Sequence, residues 1–187
     1  MKEEFTTQFV ERQLVRGFID GSLSTLGVVI GASGAEISII IAAGIGGGVA
    51  NGLSNIFGAF TAERIEEEMQ IVKIEKAMLK NLKETEIYKR VRRRVLTRSL
   101  VDGASTIFGS IIVVLPFFFA IMLNASPFLA TLVSIVLTTI SLGLIGLYLG
   151  KLSKENLALS FAKMAAFGIV TAFISMLVEK GVHFALS

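Results

Sequence analysis

Residues 63–98 read ERIEEEMQIVKIEKAMLKNLKETEIYKRVRRRVLTR, and long apolar sequence flanks them on both sides. Eleven of the chain's 18 Lys and Arg fall in this stretch, with Ile, Val, Leu and Met scattered among the charges. That is the pattern of an amphipathic helix standing in water, not of a loop or a lipid-crossing segment. The flanks differ in kind. Residues 37–62 and about 100–123 carry a single Asp between them and are long enough to cross a bilayer core of roughly 30 Å. The polar stretch therefore projects from between two membrane-spanning helices.

Working outward, Gly17 to Ser33 makes a first span interrupted by Asp20, and Gly34, Ala35 and Glu36 turn the chain into the second span at Ile37. Beyond the third span, Asn124-Ala125-Ser126-Pro127 forms a tight return, a fourth span covers about 128–150, and Lys151 to Asn156 is a second polar connection. Residues 157–178 make the fifth span, before a short tail with Lys180 and His183. The whole is 187 residues, 53% hydrophobic and 18% charged, with mean hydropathy +0.73, more apolar surface than one small water-soluble core can bury. The expected fold is an all-α membrane protein of five transmembrane helices, with a cytoplasmic helical segment between the second and third. It divides into 1–62 (N-terminal segment and spans one and two), 63–98 (cytoplasmic segment) and 99–187 (spans three to five).

Charge placement sets the expected orientation. Three Lys or Arg precede Gly17, eleven lie between Arg64 and Arg98, three are Lys151, Lys154 and Lys163, and only Lys180 falls on the other side. Positive residues favour the cytoplasmic face, which puts the N-terminus inside and the C-terminus outside. With no basic and apolar leader apparent, a cell membrane is the expected location. The run Arg90, Arg92, Arg93, Arg94 and Arg98 suits anionic lipid headgroups and orientation, and nucleic acid is not an expected partner.

An internal echo relates spans one and three. At an ungapped offset of 82, Arg16, Asp20, Gly21 and Gly27 recur as Arg98, Asp102, Gly103 and Gly109, with Thr106 at the place of Ser24. Both spans run from inside to outside, so a parallel repeat of the kind some transporters use is expected.

The chain lacks cysteine, which removes disulfides, thiolate metal sites and cysteine nucleophiles. Lone His183 has no second histidine or nucleophile nearby in sequence, and no nucleophile–base pair is evident, so an enzyme is not expected. Asp20 stands out because an ionised carboxylate near the bilayer centre costs about 2.5–3.5 kcal/mol on insertion scales. On a helix it shares a face with Ser24, Gly27 and Gly31, a face able to line a pathway. The competing account pairs Asp20 with Arg16 at the interface or makes it a helix cap, and Asp102 repeats both possibilities with Arg98. Asn55, deep in the second span, can serve as an oxygen ligand or hydrogen-bond a neighbouring helix. The glycines from Gly44 to Gly52 fit close helix packing and no phosphate loop. Gly17, Gly21, Gly27 and Gly31 give two further small-xxx-small pairs. At the inner end of span two, Glu63 and Glu67 share a helix face near Glu66, Met69, Glu75 and Met78. They could hold a divalent cation or simply solvate a helix.

A family resemblance follows from these residues. The stretch from Asp20-Gly21-Ser22-Leu23-Ser24-Thr25-Leu26-Gly27 to Gly31, then Gly34-Ala35, resembles the signature of the vacuolar iron transporter family. Leu53-Ser54, Gly58, Phe108-Gly109, Pro116, Gly150-Lys151 and Lys163-Met164 to Gly168 extend the likeness over most of the chain. The resemblance implies a five-span homodimer that moves Fe²⁺, sometimes Mn²⁺, out of the cytosol in exchange for protons. It places the family's intramembrane metal-binding aspartate on Asp20. The family's second-span methionine falls on Asn55, its following glutamate on Ala59, and an earlier polar residue on Gly47. The cytoplasmic segment, shorter than in fuller members, keeps Glu63, Glu66, Glu67, Met69, Glu75 and Met78 as a reduced capture site.

The expectation is therefore a carrier with metal at Asp20, Asn55, Glu63, Glu66 and Glu67, and a metal or proton route touching Asp102, Ser24, Met69, Glu75 and Met78. Its partners are the bilayer, a divalent cation, protons and a second copy of itself. It holds no resident cofactor, and Fe²⁺ or Mn²⁺ is its substrate. The other reading, prompted by the absent Met and Glu, is a membrane interaction or scaffold protein that has lost the metal site.

Overall fold

The computed structural model describes residues 2–79, 82 and 85–186, with the backbone alone described at 2–10, 87 and 186. Lys80, Lys83 and Glu84 of the polar stretch lie outside the described residues. Five α-helices make up the fold: α1 Lys2–Gly31, α2 Ile37–Met78, α3 Glu86–Met122, α4 Pro127–Ser153 and α5 Leu157–Leu186. All five are long and apolar enough to cross a membrane, and the chain is an integral membrane protein.

The polar stretch belongs to two helices. At 42 residues, α2 is about 63 Å long, twice the hydrocarbon thickness, so its second half continues past the apolar run into the charged segment. The α3 helix starts at Glu86 and enters its own apolar run from the same end. Leu79 takes a left-handed cap with its N–H on the Glu75 carbonyl, and the Glu75 carboxylate accepts the Leu82 N–H at 2.7 Å. The charged segment is thus a helical hairpin of two extended spans. Likewise the N-terminal segment is helical through to the first span, and the C-terminal tail continues α5.

Short turns make successive helices antiparallel, so α1 and α3 run in the same direction. Ser126 accepts the Leu129 N–H ahead of Pro127, Lys154 closes α4 in a left-handed conformation, and the Asn156 side chain caps the start of α5. The apolar core fills the half of the bundle away from the charged end: Leu26, Val29, Ile30, Ile40, Val113, Val114, Phe117, Ala130 and Ala172. The other half is packed by small and polar residues. A Cβ at Gly17 would overlap the Asp102 carbonyl, and one at Gly21 the Thr106 carbonyl. Backbone contact between α1 and α3 therefore requires glycine at both positions. This pair of small residues is used within one chain. Outside the bundle, Phe57, Phe118, Phe128, Phe167 and Phe173 are exposed, as suits side chains solvated by lipid.

Candidate functional site

In the polar half, α1, α2 and α3 place two carboxylates back to back. Asp20 sits on the open side of α1, exposed on the single chain. One turn apart on α2, Asn51 and Asn55 both face it. Its Oδ2 accepts from the Asn51 amide at 3.0 Å and from the Asn55 amide at 2.7 Å. The Asn51 amide also donates to Ser24 Oγ at 2.8 Å, and the Asn55 amide to Thr106 Oγ1 at 2.9 Å. Ser24 Oγ in turn donates to the Asp20 carbonyl at 2.7 Å, which aims its lone pairs at Asn51. Gly48 and Gly52 let α2 come this close. A Cβ on Gly48 would meet Ser110, and one on Gly52 would meet Ile107 and the Gly103 carbonyl.

Asp102 faces the other way and is fully buried. Arg16 crosses from α1 and donates to both of its oxygens, its Nε at 3.2 Å from Oδ1 and a terminal nitrogen on Oδ2. The Arg16 side chain remains 56% exposed while that of Asp102 is 0% exposed. This two-point fork is the geometry in which a buried carboxylate is best compensated. The local i,i+4 pairings suggested by sequence, Arg16 with Asp20 and Arg98 with Asp102, are replaced by one pair across the α1–α3 contact.

Arg98, nine-tenths buried, is directed to the start of the α2 extension. Glu63 Oε2 and Glu67 Oε1 each lie 3.7 Å from its guanidinium, and the buried Gln13 amide donates to Glu63 Oε1 at 2.6 Å. Glu63 and Glu67 thus share a face, and the internal cation Arg98 occupies it. Beside them a cavity of about 140 Å³ opens between the two extensions, walled by Phe60, Ile71, Val91 and Val95 and lined also by Arg64 and Tyr88. Glu66, Met69 and Met78 are exposed further along α2, and Glu75 is engaged at the hairpin turn. Among the described residues no three His, Asp or Glu side chains gather as a metal-holding group.

Sequence reading named Asp20, Ser24 and Asn55, and the structure brings the three together. It missed Asn51 and Thr106. The available signal for Asn51 was its position four residues before Asn55, one turn up the same face; Thr106 was noted only as the counterpart of Ser24. Chemically, the cluster offers one carboxylate, two amides that can present nitrogen or oxygen, and two hydroxyls, on an open face inside the membrane-spanning part.

A model of the VIT family matches residues 11–97 and 73–180, together nearly the whole bundle. An uncharacterized protein of Methanocaldococcus jannaschii is 48% identical over 173 residues, an alignment covering 90% of this chain and 88% of that one. This chain belongs to the VIT family of membrane transporters.

Proposed function

We propose that the chain moves a divalent transition metal, Fe²⁺ or Mn²⁺, out of the cytosol in exchange for protons, working as a homodimer in the cell membrane. One observation carries the reading: Asp20, a carboxylate inside a span, is displayed on the open side of α1, and among the described residues its side chain is hydrogen-bonded by two uncharged amides, while Arg16, near enough to be felt electrostatically, is committed to Asp102. A structural carboxylate in a membrane protein is expected to be buried against a cation, as Asp102 is. An exposed one, ringed by polar groups, is placed to receive an ion. The same carboxylate can bind a proton or a metal but not both, and that competition is the chemical basis of antiport.

The open polar face is also a poor surface to present to lipid, and a second copy of the chain would cover it. Glu63 and Glu67, at the mouth of the site, would draw cations toward it, with Arg98 as the charge an arriving ion displaces. In the proposed orientation the charged hairpin and the N-terminus lie in the cytoplasm.

The test is metal flux into liposomes holding the purified protein, with Fe²⁺ and Mn²⁺ compared with and without a pH gradient. Flux that grows with the gradient and is lost in Asp20→Asn, with the protein still folded, is the expected result. Undiminished flux in Asp20→Asn removes Asp20 from the mechanism. Absence of any metal flux from folded protein favours the scaffold reading.

A further inference from the structure

The Asp20 site contains only oxygen and amide groups, and among the described residues no softer donor reaches it. The chain has no cysteine, and its one histidine, His183, lies in the last turn of α5, at the opposite end of the bundle. Among the methionines, Met69 and Met78 stand exposed on the α2 extension and Met122 is exposed at the end of α3. Met164 faces Gly146 of α4, and Met176 packs on the apolar core. Met1 lies outside the described residues.

We infer that Asn51 and Asn55 fix the chemical class of the cargo: a hard, oxygen-preferring divalent cation, with Mn²⁺ its transition-metal member, in preference to soft ions such as Cd²⁺. The inference rests on the transport reading and narrows it. Each amide is a ligand with two faces. Both turn N–H groups toward Asp20 Oδ2. The terminal torsion of an Asn side chain is broad and roughly two-fold, so half a turn puts the carbonyl oxygen where the N–H was. The groups around an ion would then be the Asp20 carboxylate, two amide carbonyls and the Ser24 hydroxyl, all oxygen. Carboxylate and carbonyl sets suit Mn²⁺, Mg²⁺ and Ca²⁺, whereas thioether and imidazole favour softer metals. With one formal negative charge, the set binds weakly enough to release its ion, as passage requires.

The test measures Mn²⁺ bound to the full-length protein in detergent micelles by electron paramagnetic resonance, beside Mn²⁺ flux into liposomes. The Asp20-dependent part is taken as the difference from Asp20→Asn. In the unmodified protein, excess Cd²⁺ is expected to displace little of that Mn²⁺. Asn55→Met, which adds a thioether, should lower the Cd²⁺ concentration that halves bound Mn²⁺ by about tenfold. Asn51→Ala should weaken Mn²⁺ binding without favouring Cd²⁺. If Cd²⁺ displaces Mn²⁺ from the unmodified protein as readily as from Asn55→Met, the inference falls even where Mn²⁺ flux is robust and Asp20-dependent. Folded protein that binds no Mn²⁺ at Asp20 overturns it too. Mn²⁺ bound with the stated preference but never carried into liposomes leaves the oxygen site standing and removes the transport reading alone.

Discussion

Arg16-Gly17-Phe18-Ile19-Asp20-Gly21 in α1 and Arg98-Ser99-Leu100-Val101-Asp102-Gly103 in α3 are near copies in sequence and opposites in environment. Asp20 is exposed and held by two neutral amides, while Asp102 is wholly buried and gripped by an arginine. The arginines part company as well: Arg16 crosses to the other copy's carboxylate, whereas Arg98 turns to Glu63 and Glu67 on α2. A perfect two-fold relation would pair Arg98 with Asp20. The α2 helix prevents that by laying Asn51 and Asn55 over Asp20 and its acidic extension over Arg98. One carboxylate is thereby tied into the helix packing and its twin left on an open face, and the proposed ion site rests on this asymmetry.

Arg16 carries the largest expected effect. Arg16→Ala removes the cation and leaves the fully buried Asp102 carboxyl without its partner, with an expected loss of about 3–5 kcal/mol. Thermal denaturation of the detergent-solubilised protein would show it as a large fall in Tm. The double change Arg16→Met with Asp102→Leu should recover most of that loss, because no buried charge is then left unpaired. A double variant as unstable as Arg16→Ala would mean that Arg16 acts through packing and not through Asp102.

The glycines give the next effect. Gly27 and Gly109 hold equivalent places in the repeat. A Cβ on Gly109 would lie 2.5 Å from the Phe18 carbonyl, whereas one on Gly27 meets only Ser175 Oγ at 3.4 Å. Gly109→Ala must push α1 and α3 apart and should cost about 1–3 kcal/mol. Gly27→Ala fits with a small adjustment of a hydroxyl. It should be neutral or stabilising by about 0.5 kcal/mol, through the lower entropy of the unfolded chain. Equal costs in the same denaturation assay would show that the two helices are more alike than their contacts indicate.

These contrasts also mark what sequence could and could not reveal. The five spans were legible because hydropathy is a local property, and lipid exposure demands it along each helix in turn. The continuity of α2 from Ile37 to Met78 was hidden, since composition changes sharply at Glu63 while helical conformation does not. Asp20 was visible as an isolated charge in apolar sequence, and Asn55 through its register with the family pattern. Asn51 looked like any amide in a glycine-rich span, because its importance comes from the helix packed opposite. The Arg16–Asp102 pair was hidden for the same reason. An arginine four residues before an aspartate suggests a local pair, and only the close approach of α1 to α3 at Gly17 and Gly21 brings the more distant partner nearer.

The smallest expected effect on stability falls at Asp20 itself. Asp20→Asn is nearly isosteric, and its new carbonyl oxygen can still accept from Asn51 and Asn55, so the denaturation midpoint should move by no more than about 0.5 kcal/mol. Asp102→Asn makes the same chemical change 82 residues later with a different result. One acceptor oxygen becomes an NH₂ group facing the guanidinium, two donors meet in a buried place, and the cost should be several times larger. If the pair behaves this way, the carboxylate at position 20 is kept for something other than holding the bundle together. Equal destabilisation by the two changes would make Asp20 a second structural anchor, and the case for an ion site on the open face of α1 would lose its foundation.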